Sequence, residues 1–285
     1  MPMRTTKLLE MKQAGERIPC VTAYDYPTAL LAEEAGIPVI LVGDSLGNVV
    51  LGYETTVPVT MDDMVHHTKA VMRAAPGSLV IADMPFMSYN ASSDEALRNA
   101  GRLLQEGGAQ AVKLEGGLTI ADTVRRITES GIPVMGHLGL TPQSVNQLGG
   151  YRVQGRTLPE AQRMLDAAEA LQAAGAFAVV LETIPNQLAE VVTKRLTIPT
   201  IGIGAGGGCD GQIQVIHDIL GLTQRRPKHA KLYADLNAVI GQALRGYAEE
   251  VRTGAFPADE HAVQIDDAVL RELRGIIEGG GELDC

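Results

Sequence analysis

The 285-residue sequence has no apolar run approaching the roughly 18 residues of a membrane span, so a bilayer-spanning helix is not expected. The opening stretch, "MPMRTTKLLEMKQAGER", lacks the apolar core and small-residue cleavage site of a signal peptide, so export is not expected either. Cysteine is scarce. Cys20, Cys209 and Cys285 are scattered, with no CxxC spacing, which argues against a disulfide framework and fits a cytoplasmic protein. Positive charge is also short: 24 Lys and Arg against 34 Asp and Glu give a net charge of -10, which argues against a nucleic-acid partner. Eight acids and two arginines from Asp259 onward carry -6 of that total, leaving an unremarkable -4 for the rest. The one basic cluster, "QRRPKHAKLY" (224–233), reads as a solvated surface loop, because it holds a single tyrosine and no flanking basic stretch.

What the sequence does have is alternation. Short β-branched runs predict strands at 19–25, 39–44, 79–83, 111–115, 133–137, 178–182, 199–204 and 213–218. Between them lie Ala-, Leu- and Glu-rich helical patterns. "SSDEALRNAGRLLQEG" opens with Ser92 or Ser93 as N-cap and closes at Gly107. "LPEAQRMLDAAEALQAAG" has Pro159 in its first turn and Gly175 as its stop. Alternating strand and helix means a parallel sheet covered on its faces. Eight strands in about 200 residues suit a closed (β/α)8 barrel, an α/β TIM-barrel fold, better than an open sheet. "AGGGCDGQ", before the last strand, is too short for a crossover helix and marks an irregular junction. "TTKLLEMKQAG" reads as a helix able to plug one barrel end. The expected domains are a catalytic barrel over 1–262 and an acidic tail over 263–285, partly disordered, with a short amphipathic helix in it.

Strand after strand ends in a polar residue: Asp25, Asp44, Asp83, Glu115, His137, Glu182 and Asp218. In a barrel the carboxyl ends of the strands form one rim, where active sites lie. Asp25 and Asp218 are read as caps of the next helix or loop. Two carboxylates about 5 Å apart repel by roughly 3 kcal/mol at an effective dielectric of about 20, so a cluster needs shared protons or a cation. Asp44, Asp83 and Glu115 offer only hard oxygen ligands, which selects Mg²⁺ over zinc. Helix capping and pairing with lysine are the alternatives. Lys113 and Glu115 lie two apart on one strand, so both point the same way. Lys113 either binds an anionic substrate, forms a plain ion pair, or serves as a Schiff-base amine. Glu182, approached by the apolar run "FAVVLETIP", has its charged form disfavoured and suits a general base, or else one more metal ligand. His137 either donates to an anion or is structural. "GIGAGGG" fits a dinucleotide fingerprint by spacing only, since a strand rather than a helix follows it; a phosphate site is the other reading. The glycine-bearing stretch 45–60 is expected to cover the site as a lid.

Long, specific motifs carry a resemblance to a known family. They are "VTAYDYPTA", "LVGDSLGNVVLGYETTVPVTMDDMVHHTKAV", "ADMPFMSY", "VKLEGG", "GHLGLTPQSVNQLGGYRVQGR", "LETIP", and "IGIGAG" with "DGQIQVIHD". From about Thr5 to His261 the chain resembles the ketopantoate hydroxymethyltransferases. The resemblance implies a barrel related to the phosphoenolpyruvate-utilising barrels, commonly assembled as a homodecamer. It implies one Mg²⁺ per subunit on Asp44, Asp83 and Glu115, chelated also by the 2-oxo acid. Asp44, Ser45, Asp83, Lys113 and His137 would be the substrate-binding residues, and Glu182 the base. The implied reaction moves a hydroxymethyl group from 5,10-methylenetetrahydrofolate to 3-methyl-2-oxobutanoate through a Mg-stabilised enolate, giving 2-dehydropantoate for pantothenate synthesis. Two departures stand out, "GGGC" after Gly204–Gly206 and the acidic tail after His261. A related metal-dependent lyase working without folate shares the acid set. A non-catalytic scaffold barrel fits less well, since it has no use for buried charge.

Overall fold

A computed structural model describes residues 2–223 and 226–278. Gln224 and Arg225 of the basic cluster, and the Gly-rich acidic end 279–285 with Cys285, lie outside the described residues. By internal contacts the chain forms two compact units, Met1–Ala234 and Asp235–Cys285.

The first unit is a closed parallel barrel. Its strands are β1 (Ile18–Thr22), β2 (Val39–Val42), β3 (Leu79–Asp83), β4 (Ala111–Glu115), β5 (Val134–Gly139), β6 (Ala178–Glu182), β7 (Thr200–Ile203) and β8 (Gly211–Gln214). They pair in chain order, and β8 returns to β1 from Ile18↔Gly211 to Val21↔Gln214. Helices α1 (Thr5–Ala14), α2 (Tyr26–Glu34), α3 (Leu46–Val49), α4 (Met61–Ala74), α5 (Ser93–Gln105) and α6 (Ala121–Glu129) alternate with the strands. So do α7 (Val145–Leu148), α8 (Leu158–Ala173), α9 (Asn186–Arg195) and the single turn α10 (Ile216–Ile219). Two of the expected caps are in place. Asp25 accepts from the Thr28 amide, and Ser92 rather than Ser93 starts α5.

Period-two alternation divides each strand between two cores. Val21, Ile40, Val42, Val80, Val112, Leu114, Val179 and Leu181 pack with the helices. Ile18, Cys20, Val39, Leu41, Leu79, Ile81, Ala111, Met135, Ala178, Val180, Ile201 and Ile213 form the second, inner cluster. Leu8 and Met11 of α1 belong to this inner cluster, with Leu8 fully buried, so α1 does plug the barrel. Lys12 fixes the plug: its Nζ donates to the Thr193 and Ile198 carbonyls and meets Asp210 at 2.9 Å.

The last strand begins two residues earlier than expected, and Asp218 lies in α10 rather than at a strand end. Pairing with β1 sets this register. A Cβ on Gly211 would lie 2.4 Å from the Ile18 carbonyl oxygen, so only glycine lets the strands approach there. The Thr22 hydroxyl then accepts from the Ile216 amide and turns the chain into α10. No helix joins β7 to β8, as the short junction requires.

The second unit holds α11 (Leu236–Thr253), a 3₁₀ turn Asp259–His261 and α12 (Asp267–Glu278). The 3₁₀ turn lies between the two helices, and α12 is the expected amphipathic helix. Phe256 packs on Tyr247 and His261, with ring centroids at 5.7 and 5.0 Å. Helix α11 groups with the tail in this partition, whereas the sequence reading carries the catalytic domain to 262.

Candidate active site

The inward positions that are apolar at the amino ends of the strands become polar at the carboxyl ends. Ala111 is followed two residues apart by Lys113 and Glu115, Met135 by His137, Val180 by Glu182, and Ile81 by Asp83. Sheet register brings them side by side: Asp83 pairs with Lys113, and Glu115 with His137. Asp44 follows the end of β2. Asp44, Asp83, Lys113, Glu115 and His137 are all buried. Together with Ser45 and Glu182 they line a cavity of about 1120 Å³, so all seven sequence-predicted residues converge. Asp218 also lines it, while Asp25 only caps α2.

The contacts form a chain of charge. The Asp44 amide donates to Asp83 Oδ2 at 3.0 Å. Lys113 Nζ lies 2.9 Å from Asp83 Oδ1, 3.8 Å from Glu115 Oε1 and 3.2 Å from His137 Nδ1. His137 bridges two glutamates, with Nδ1 3.2 Å from Glu115 Oε1 and Nε2 3.2 Å from Glu182 Oε2. Ser45 Oγ hydrogen-bonds the Tyr24 hydroxyl at 2.8 Å. Glu182 sits on the cavity wall beside this histidine, with 17% of its side chain exposed, rather than in the purely apolar pocket its flanking sequence suggests. Thr183, next in the chain, has φ of 50°, a left-handed backbone costly for a β-branched residue. It turns the chain sharply at the end of β6. Gly139 allows the matching approach on β5, since a Cβ there would lie 2.1 Å from the Glu182 carbonyl oxygen.

Electrostatically the ring's two cations, Lys113 and His137, leave its buried aspartates undercompensated. Burial, then the charges of Asp83 and Glu115, push the Asp44 carboxyl up to about 8. Burial raises Asp83 as well, against the pull of Lys113. Glu115 goes the other way: burial opposes its charge, but His137 and Lys113 hold it below the usual carboxylate range. Burial disfavours the Lys113 and His137 cations, yet the surrounding acids prevail. Lys113 rises above its ordinary value, and His137 rises to about 9.

A divalent cation fits this charge deficit and the hard-oxygen donor set. Among the described residues no three His, Cys, Asp or Glu side chains already surround one point as metal ligands. Lys113 Nζ instead occupies the space between Asp83 and Glu115. Sequence reasoning missed Gln143, Tyr89 and Tyr24, which hold the ring in place. All three are uncharged. The one available signal is that "TPQS" directly follows a strand end on the rim, where loops feed the site. The stretch 45–60 forms one cavity wall through Asn48, Val49, Gly52, Glu54 and Thr56, with its ends anchored by buried Leu46 and Val59.

The fold and the acid-rich rim define a (β/α)8-barrel enzyme. Structural comparison agrees on the fold. A phosphonopyruvate hydrolase, solved with oxalate and Mg²⁺, superposes with a TM-score of 0.61 at 13% identity, covering 97% of this chain and 98% of the other. A 2,3-dimethylmalate lyase of the PEP mutase/isocitrate lyase superfamily superposes at 0.59 and 18% identity, covering 98% and 97%. Sequence comparison is more specific: the model of the family described as ketopantoate hydroxymethyltransferase matches residues 2–259. The 3-methyl-2-oxobutanoate hydroxymethyltransferase of Dehalococcoides mccartyi strain BAV1 is 60% identical over 95% of this chain and 99% of its own. That of Chloroflexus aurantiacus strain J-10-fl is 60% identical over 93% and 94%. The chain belongs to the ketopantoate hydroxymethyltransferase family, and its activity is hydroxymethyl transfer.

Proposed function

We propose that the chain moves a hydroxymethyl group from 5,10-methylenetetrahydrofolate to C3 of 3-methyl-2-oxobutanoate, giving 2-dehydropantoate for pantothenate synthesis. The observation that carries this reading is the buried ring of Asp44, Asp83, Lys113, Glu115 and His137 leading to Glu182 at the cavity wall. The cavity volume, about 1120 Å³, far exceeds what a five-carbon keto acid fills, which supports a second and larger substrate.

Asp44, Asp83 and Glu115 would hold Mg²⁺, which when bound would withdraw electrons from the 2-oxo group and acidify C3. Lys113, kept charged by the acids around it, is the fixed cation for an anionic substrate and for the negative charge that develops as the C3 proton leaves. Ser45, oriented by the Tyr24 hydroxyl, offers a hydrogen bond to the substrate. His137, within 3.2 Å of both Glu115 and Glu182, holds Glu182 in place by charge. Glu182 takes the C3 proton. The C3 carbon then attacks the methylene carbon of the folate as one of its C–N bonds breaks, water supplies the hydroxyl as the second C–N bond breaks, and tetrahydrofolate leaves with the C3 proton and one proton of the water on its nitrogens. No protein residue is covalently modified.

Residues 1–262 form the catalytic domain in this reading, supported by the family match ending at 259. The resemblance supports a homo-oligomer, a decamer in the family. No helix of the described residues is long and apolar enough to cross a membrane, and Cys20 and Cys209 are free and buried, which is compatible with a cytoplasmic enzyme. The test is an assay of 2-dehydropantoate formation with metal and folate each omitted in turn. Product should vanish in both omissions. Turnover of the keto acid without folate would overturn the reading in favour of a lyase.

A further inference from the structure

Gln143 is a buried, uncharged residue, 5% exposed, in the 3₁₀ turn Pro142–Ser144 that comes after β5. Every hydrogen-bonding group of its side chain is engaged. Nε2 donates to Asp44 Oδ2 at 2.9 Å and to the Met84 carbonyl at 3.0 Å, and Oε1 accepts from the Tyr89 hydroxyl at 2.6 Å. A carbonyl can only accept, so the Met84 contact fixes which end of the amide is nitrogen. With that settled, the second N–H must point at Asp44. The backbone amide of the same residue donates to Glu115 Oε2 at 3.0 Å. Tyr89 closes the arrangement, since its hydroxyl also lies 3.1 Å from the Glu115 carbonyl oxygen and accepts from the Glu115 amide at 3.3 Å.

One residue on the β5 loop therefore holds an acid from the end of β2 and an acid from β4. It grips one oxygen of each, and a held oxygen fixes the rotamer of its carboxylate. Among the described residues no side chain or amide donates to Asp44 Oδ1, the oxygen that Gln143 does not hold, and Glu115 Oε1 is left facing Lys113 and His137. A side chain chosen only to fill this space needs none of these bonds. Burying an amide without partners is costly, and an apolar residue of like volume avoids that cost.

We propose that Gln143 is a positioning residue that aims Asp44 and Glu115 at a bound divalent cation, with Tyr89 locking its amide. The inference rests on the reading that these acids hold Mg²⁺. Outer hydrogen-bond partners of metal ligands typically contribute 10- to 100-fold in metal affinity. Gln143→Met keeps the volume and removes all three side-chain bonds, whereas Tyr89→Phe removes only the lock.

The test is calorimetric titration of wild type, Gln143→Met and Tyr89→Phe with Mg²⁺ alone, beside thermal melting of each metal-free protein. Gln143→Met should bind Mg²⁺ at least about tenfold more weakly while melting cooperatively, and Tyr89→Phe should shift in the same direction by less. Mg²⁺ binding by Gln143→Met equal to wild type overturns the proposal alone. A wild type that gives no binding heat overturns the metal reading, and the proposal with it. Should Gln143→Met not fold, Tyr89→Phe decides, and unchanged affinity there counts against the proposal.

Discussion

Asp83 and Lys113 are register partners on β3 and β4, and the lysine Nζ lies 2.9 Å from Asp83 Oδ1 with side-chain exposures of 2% and 5%. A pair this deep is tolerated because each charge cancels part of the other's desolvation. Lys113 stays cationic throughout the neutral range and beyond it, since Asp83, Glu115 and Asp44 all raise it against the cost of burial.

Removing that cation should be felt in stability. Lys113→Met leaves Asp83 buried without its partner, so the metal-free protein should lose about 3–5 kcal/mol of unfolding free energy. Added Mg²⁺ should restore part of it. Urea unfolding in chelator and in Mg²⁺ measures both, and a loss below about 1 kcal/mol would show that the pair is not a support of the fold.

His137 predicts a pH dependence. Its folded pKa is raised from 6.5 to about 9, with burial and Lys113 opposing the cation and Glu115 and Glu182 winning. A cation favoured by folding contributes its full stability below pH 6.5 and loses it as pH rises through about 9. In metal-free protein the advantage of wild type over His137→Gln should therefore shrink by about 3 kcal/mol across this range. A difference that does not vary with pH contradicts the assignment.

The plug is separable from the chemistry. Leu8 is fully buried in the inner barrel cluster, so Leu8→Ala should cost about 2–5 kcal/mol. The folded fraction should keep wild-type turnover, because the plug joins the apolar end of the barrel. Denaturant midpoints and specific activity per folded molecule check the two halves of this statement.

Much of the fold and the ring is legible in the sequence, and for a definite reason. Strands β3, β4 and β6 sit where the β-branched runs place them, because turn residues close by delimit each run: Gly77 and Pro85, Gly108 and Gly116, and Gly175 and Pro185. The ring acids are visible because charge at the end of an apolar strand needs compensation. Strand β8 is displaced by two residues from its expected start. "IQVIHD" looks like a strand, while the true start is set by how Gly211 packs against Ile18. Gln143 and Tyr89 are invisible for a different reason. Their importance lies in hydrogen bonds between the β2, β4 and β5 ends, which no local spacing encodes.

The tail is predicted to be dispensable for catalysis. The family match stops at 259, and the acids beyond it lie outside the recognised motifs. Truncation after Ala262 should leave turnover nearly unchanged. Loss of catalysis, or collapse of an oligomer by light scattering, would make residues 263–285 a functional part.

The central claim is that Glu182 takes the C3 proton while Glu115 serves the cation. Glu182→Gln keeps the shape and the neighbouring His137 but cannot accept a proton, whereas Glu115→Gln should weaken Mg²⁺ binding and recover partly at high Mg²⁺. The direct measurement is exchange of the C3 hydrogen of 3-methyl-2-oxobutanoate with deuterium from solvent, without folate, under saturating Mg²⁺ and keto acid. Glu182→Gln should bind both ligands yet exchange about 10²- to 10⁴-fold more slowly than wild type. Exchange at the wild-type rate would contradict the account and give the proton to another residue.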